Sequence, residues 1–460
     1  MMWINKVLKK IGSKGRSLQK QSLETDVYIF IVIQISLILF LPEIGNWQLR
    51  DTLVPAIFTQ SDLVDFFWIT KMVGVVLIAC YIIVALYVPK SPLQRRTKLF
   101  LIILTSIFFV LIPCFSEIAL RLKYGPGTWA HDGGVLQTEE AMKCLLRGQN
   151  PYVEEYVNTP MIEYWAENPA LYHLPYLPAF FLISLPVYSI CSSIIGFYDQ
   201  RIVYIIFYYF SFLLFGYLGE EETKPQTLLL ALLNPWITSF IIEGRNDIFI
   251  ILILLLIILL ERKGYPHCAA LMLGVGLAAK LTIWPIMPFY CLYRLKHIFP
   301  IREGDKRTII KELSILMLVF LVFCLITLPF FLWDPTAFID DIFLFNSGLT
   351  EYPFPIRGNA GYGFASIVLF FGLVSSTSDY FPFWIFQLLF GIIPLYFGLK
   401  KVYLIENKKF WPTILFYYCC LTFILLFFGR FFHDNYIGYL FAILVLSENL
   451  KSNFIIEETK

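Results

Sequence analysis

The chain has 460 residues, of which 58% are hydrophobic, 18% aromatic and only 15% charged, and its formal net charge is +2. Soluble domains usually carry about 25% charged residues, so this composition excludes an ordinary soluble globular protein. The net charge says nothing about nucleic acid, and no basic patch interleaved with aromatics appears outside the loops, so no nucleic-acid partner is expected. The nine cysteines show no CxxC pairing; most, including Cys419 and Cys420, lie in apolar runs and read as buried free thiols.

Apolar runs of about 15–22 residues recur from Val27 to Leu446, long enough for helices that cross a hydrocarbon layer. The expected fold is all-α: a polytopic helical membrane protein with about 12 transmembrane helices. Lys6, Lys9, Lys10, Lys14, Arg16 and Lys20 precede the first run, which places residues 1–26 as a basic cytoplasmic arm. The first run lacks a small-residue cleavage site and reads as a retained helix. Helices over about 27–42 and 68–88 bring the chain to an inside loop with Lys90, Arg95, Arg96 and Lys98. A third helix over about 99–120 then delivers "TWAHDGGVLQTEEAMKCLLRGQNPY", Thr128 to Tyr152, to the outer side.

In that segment Gly133 and Gly134 let the backbone turn tightly after Asp132 and free its carboxylate. From Val135 to Arg147 the apolar residues Val135, Met142, Leu145 and Leu146 fall largely on one helical face. Glu139, Glu140, Lys143 and Arg147 are mostly on the polar face, as in a helix lying flat at an interface. Asn150-Pro151-Tyr152 stops that helix. The following "YHLPYLPAFFLISLPVYSICSSIIG" is broken repeatedly by Pro175, Pro178 and Pro186 and is expected not to cross fully.

Further helices are expected at about 200–218, 226–243, 247–260, 267–280, 282–293 and 313–332, which put Arg262, Lys263 and the cluster Arg294, Lys296, Arg302, Lys306, Arg307 and Lys311 inside. A second non-crossing element at 362–376 keeps Lys400, Lys401, Lys408 and Lys409 inside as well. Crossings at about 383–399, 411–428 and 433–447 complete the bundle, and residues 451–460 form a cytoplasmic tail.

This layout gathers the unusual polar residues on the outer side: Asp132, Arg245-Asn246-Asp247, Lys280, Arg357-Gly358-Asn359 and the stretch "GRFFHDNY" from Gly429 to Tyr436. Ionisable groups at membrane depth are costly and suggest function by default, although each taken alone reads equally well as a side chain snorkelling from a helix end. Lys280 sits between two apolar runs too short to cross alone. A lysine there needs an anionic ligand or an acid such as Asp247.

These residues resemble a known group. "LLRGQNPY" followed by "YHLPYLPAFFLISLP" is similar to the signature of GT-C glycosyltransferases. The run "LLNPWITSFIIEGRND…GVGLAAKLTIWPIMPFY" resembles the catalytic subunit of GPI mannosyltransferase I and the actinobacterial polyprenyl-phosphate-mannose-dependent mannosyltransferases, and "GRFFHDNYIGYLFAIL" looks like the last crossings of the latter group. The resemblance covers roughly residues 98–447. It implies a GT-C-like catalytic membrane domain over 98–450, preceded by two additional helices in 27–97.

The resemblance also implies a reaction. A hexose, by resemblance mannose, would pass from a polyprenyl- or dolichyl-phosphate donor to a glycolipid or polysaccharide acceptor, with inversion. Asp132 matches the acid that acts as general base. Many relatives carry Asp-x-Asp there; Gly134 stands in the second position here, so a divalent metal is not implied and no cofactor is expected. Lys280, Arg245, Arg357 and His433 are the candidates for the donor phosphate. His131, Glu140, Tyr152, Asn246, Asp247, Asn359 and Asp434 are supporting or substrate-binding candidates, with Glu140 or Asp247 as partner of the base. The rival readings are a transporter, which would carry internal repeats and midplane charges, and a ligase using another lipid-linked donor. A prokaryotic plasma membrane and the endoplasmic reticulum both fit outer segments that lack Asn-x-Ser/Thr sequons.

Overall fold

The computed structural model describes residues 24–40, 66–125, 133–164, 169–296, 306–357, 361–405 and 410–450. Asp132, His131 and Asn359 lie outside the described residues. Within them the chain is helical, with no strand beyond two isolated bridges.

Helix α1 spans Thr25–Phe40 and α2 Phe66–Tyr87. The next helix, α3, starts at Pro92, earlier than the apolar run alone implies, because Ser91 caps it by accepting from the Gln94 amide. It runs Pro92–Ser106, then a π-helical turn Ile107–Leu111, then Ile112–Tyr124. Pro113, which has no amide hydrogen, is the second residue after the π turn, and that missing donor explains why the hydrogen-bond pattern changes there. Two helices follow at one end: α4, Gly133–Leu146, and α5, Pro178–Ile194. Pro178 opens α5 at its first turn and Pro186 sits inside it, so the expected repeated breakage does not occur and a single helix forms.

The chain continues through α6 (Arg201–Leu218), α7 (Lys224–Leu232), α8 (Pro235–Glu243), α9 (Asp247–Arg262), α10 (Pro266–Leu277) and, after a 3-10 turn at Leu281–Ile286, α11 (Met287–Lys296). The single helix expected over 226–243 is bent by 49° between α7 and α8. Asn234 caps the second half by accepting from the Ile237 amide, and Pro235 begins it. Then come α12 (Lys306–Trp333), the short α13 (Phe364–Phe370), α14 (Phe383–Leu404), α15 (Phe410–Phe427) and α16 (Asp434–Asn449). Among the described residues six helices are long and apolar enough to cross a membrane, or seven if the bent α7–α8 pair is one span.

The core surrounds α9, whose residues from Asp247 to Leu255 are all buried. By contrast α12 and α14 expose Met317, Phe320, Leu325, Leu388 and Ile392 along outward faces. A water-soluble protein rarely shows apolar area on that scale, whereas lipid tails accept it.

Ion pairs mark two opposite ends. At one, Lys98 bridges Glu24 and Asp26, Arg95 meets Glu221, Gly219 bridges Leu450, and Arg294 pairs with Glu261 and Glu312. At the other lie the end of α3, α4, the start of α6 and the α8–α9 junction. The segment containing α5 returns to this second end at both its termini. The Ala179 amide donates to Ala278 after α10, and Asp199 accepts from Arg121 of α3. Helix α13, with seven residues, rises only about 10 Å and cannot span a bilayer.

Candidate polar site at one end of the bundle

The geometry starts with the α8–α9 junction. Gly244 ends α8 in the left-handed region, φ 92°, and the Arg245 amide turns back onto the Phe240 carbonyl at 2.8 Å. Asn246 then holds the N-cap position of α9 without a side-chain capping bond, and Asp247 is the first residue of the helix. The Arg245 guanidinium donates to Glu243 at 3.0 Å, to Asp434 at 2.8 Å and to Asn435 at 3.1 Å. Lys280, extended between α10 and the 3-10 turn, reaches Asn246 at 2.6 Å and Asp247 at 2.5 Å. Asn435 donates to the other Asp247 oxygen at 2.5 Å. Asp247 and Asp434 both open helices, where the partial positive charge of the first turn favours a carboxylate.

Five of the candidates singled out in the sequence, Arg245, Asn246, Asp247, Lys280 and Asp434, therefore form one connected hydrogen-bonded set. Asn435 completes it. An uncharged residue beside Asp434 carries no signal in the sequence until α9 and α16 are brought together. Each cation in the set is already matched by acids: Lys280 by Asp247, Arg245 by Glu243 and Asp434. Both oxygens of Asp247 are engaged, so it is not a free partner for a catalytic base.

His433 stands at the edge of this set, its ring against Phe354, Phe431 and Tyr436. Burial, reinforced by the charge of Arg245, lowers its pKa to about 4, despite Asp434 and Asp247 nearby. The ring is neutral at neutral pH; it supplies a hydrogen-bonding group, not a fixed cation. Arg357 lies on the adjoining turn. Its amide donates to the Arg430 carbonyl at 2.8 Å, and Tyr362 bridges Phe432. Its backbone is left-handed, φ 72°, the one non-glycine case among the described residues. The side chain is exposed, donates to the Gly361 carbonyl at 3.1 Å, and among the described residues meets no carboxylate.

Two candidates fall outside the set. Glu140 is buried and takes the Lys143 ammonium at 2.6 Å. Tyr152 is buried among Phe181, Phe330 and Phe338, and its hydroxyl donates to the Tyr176 carbonyl at 2.7 Å. Both brace the fold around α4 and do not face the polar set.

Helix α4 also departs from expectation. Gln137, Thr138, Glu139 and Glu140 are all buried, so α4 does not lie flat with a solvated polar face. Glu139 receives both Arg121 nitrogens at 2.8 and 2.6 Å, and Asp199 joins Arg121 to Arg201 at 2.9 and 2.8 Å. Burial pushes the Asp199 carboxyl up, but the guanidiniums of Arg201 and Arg121 more than offset it and hold it below the usual carboxylate range. An amphipathic pattern cannot distinguish water from a buried ion network as the partner of its polar face. That network ties α4 to α3 and α6, and Arg201 also donates to the Ile242 carbonyl at 3.2 Å. At Gly244 the approach of α4 is so close that a Cβ would lie 2.2 Å from Val135 Cγ2. Val135, in the first turn of α4 and three residues after Asp132, thus packs directly on the residue preceding Arg245.

Comparison of the chain with protein-family models, with curated proteins and with solved structures finds no match. What the site can do rests on its own chemistry: a connected acid–base set, a neutral imidazole and one exposed guanidinium at the end of the bundle where α4 begins.

Proposed function

We propose that the protein is a membrane glycosyltransferase that moves a hexose, in the first instance mannose, from a polyprenyl- or dolichyl-phosphate donor to a glycolipid or polysaccharide acceptor. The observation that carries this reading is the packing of Val135 on Gly244. It joins the helix that follows the Asp132 segment to the junction holding Arg245, Asn246 and Asp247. A general base on one side and phosphate-recognising groups on the other is what displacement at an anomeric carbon requires.

In the proposed reaction Asp132 takes the proton of the acceptor hydroxyl. The hydroxyl oxygen bonds to the anomeric carbon, and the carbon–oxygen bond to the lipid phosphate breaks, with its electron pair leaving on the phosphate. One displacement inverts the centre. Base assistance of this kind contributes about 10²–10⁴ in rate. The leaving phosphate is met by Arg357, whose charge is not consumed by an acid among the described residues, and by His433 as a neutral donor. Lys280 and Arg245 hold the junction rigid. The reaction faces the extracytoplasmic side, in a prokaryotic plasma membrane or the endoplasmic reticulum.

The test is transfer of radiolabelled mannose from a polyprenyl-phosphate donor by the purified protein. Asp132→Asn should lower transfer by about 10²-fold or more while leaving thermal stability unchanged. Near-normal transfer by that variant removes Asp132 as the base, and no transfer by the unaltered protein with any lipid-phosphate hexose overturns the reading.

A further inference from the structure

A second cluster lies apart from the polar set. His173 belongs to the short stretch between the 3-10 turn Pro169–Leu171 and α5, and Gln137 of α4 fixes its backbone by donating to the His173 carbonyl at 2.9 Å. The ring is buried against Phe345, and its Nδ1 lies 2.8 Å from Asp341 Oδ1 and 3.4 Å from Asp340 Oδ2. The two aspartates open a π-helical turn, Asp340–Leu344, after a short helix at Pro335–Ile339. Such turns are rare and concentrate at functional sites. Here the turn lets two consecutive carboxylates reach the same imidazole.

Three facts point to a cation. Asp341 is 3% exposed, and among the described residues neither carboxylate forms an ion pair with a lysine or arginine. Isolated carboxylates are costly to bury unless they are paired or hold a metal. Further, a proton on Nδ1 serves only one of the two acids, whereas a dication between them serves both. Finally, His173 is only 7% exposed, so its Nδ1 meets the two carboxylates out of water.

We infer that His173, Asp340 and Asp341 form a binding site for a divalent transition metal of the zinc or manganese class. One imidazole and two carboxylates are a donor set of intermediate hardness that suits these ions. A tetrahedral ion about 2.0–2.2 Å from each ligand sets neighbouring ligand atoms roughly 3.4 Å apart. The His173–Asp340 separation already has that value, and the His173–Asp341 contact has only to open by about half an ångström. Asp341 keeps its second oxygen on the Leu174 amide at 2.9 Å, which orients the first. Three protein ligands leave a coordination position open, and the Asp340 side chain, 36% exposed, gives access to it. The ion would fasten the entry to α5 onto the turn after α12, and this holds whether or not the chain transfers a sugar.

The experiment uses the full chain in detergent, stripped with a chelator, equilibrated with zinc or manganese, passed over a sizing column and assayed for bound metal. The unaltered protein should retain close to one ion per chain. Asp340→Asn, at the most exposed of the three ligands, should retain at least tenfold less while eluting at the same volume. X-ray absorption of the metal-loaded unaltered protein should show one nitrogen from imidazole among oxygen ligands, a reading that does not depend on any variant folding. Failure of the unaltered protein to retain metal, equal retention by Asp340→Asn, or a spectrum without the imidazole nitrogen overturns the site.

Discussion

The ammonium of Lys280 lies 2.5 Å from Asp247, although 33 residues separate the two in the chain. Both side chains are largely buried, and Asp247 also binds Asn435 through its second oxygen. Removing one member of such a pair leaves an uncompensated charge out of water, at a cost of about 3–5 kcal/mol. Lys280→Met should therefore lower thermal stability in detergent markedly. The double variant Lys280→Met with Asp247→Asn should recover much of that loss, because the stranded carboxylate is then gone. If the two losses simply add, the pair is not coupled as its geometry requires.

The Arg121–Glu139 pair predicts a distinct phenotype. It joins the end of α3 to α4, on either side of the segment that contains Asp132, and is buried with Asp199 and Arg201. Glu139→Gln removes one negative charge from a network that has little water to replace it. We expect a stability loss on the order of 3 kcal/mol and a fall in sugar transfer, the first read by thermal unfolding and the second with the radiolabelled donor. Lys143→Ala, which loosens only the partly exposed pair with Glu140, should change stability by less than about 1 kcal/mol.

His433 makes the protein acid-sensitive. Its ordinary pKa near 6.5 falls to about 4 in the folded chain, through burial first and Arg245 second, against the opposing pull of Asp434 and Asp247. Between those values the unfolded chain binds a proton that the folded chain rejects. The stabilisation is therefore whole above pH 6.5 and is lost as pH falls towards 4. His433→Gln should flatten that acid-side decline by about 2–3 kcal/mol, measured as the difference between variant and unaltered stabilities at pH 7.5 and pH 4.5.

Arg357 separates strain from charge. A left-handed backbone at a residue other than glycine costs about 1–2 kcal/mol, and asparagine adopts it more readily than most. Arg357→Asn should leave stability within about 0.5 kcal/mol or raise it slightly, yet raise the concentration of lipid-phosphate donor needed for half-maximal transfer by roughly tenfold or more. An unchanged donor dependence with intact stability would remove Arg357 from phosphate recognition.

Much of the architecture was legible in the residues because membrane-length helices announce themselves through long apolar runs and because charges cannot sit at arbitrary depth. The placement of α6, α9 and α16 follows from the first constraint, and the clustering of Arg245, Asp247, Lys280 and Asp434 at one end of the bundle from the second. Local chemistry also explains the Asn234-Pro235 break, since a side chain that accepts the amide three residues on competes with continuation of the preceding helix.

What the linear order could not reveal are the partnerships across the bundle. Asn435 meets Asp247 over 188 residues, His173 meets Asp341 over 168, and Arg121 meets Asp199 over 78. The one-dimensional pattern of α4 predicts a polar face turned to water, whereas packing turns Glu139 of that face to Arg121. Composition and periodicity determine that a side chain must be shielded or solvated; only the tertiary arrangement decides which distant group does the shielding. Ion pairing is a matter of a few ångströms between side chains, and no local rule of helix period or propensity carries that distance across the fold.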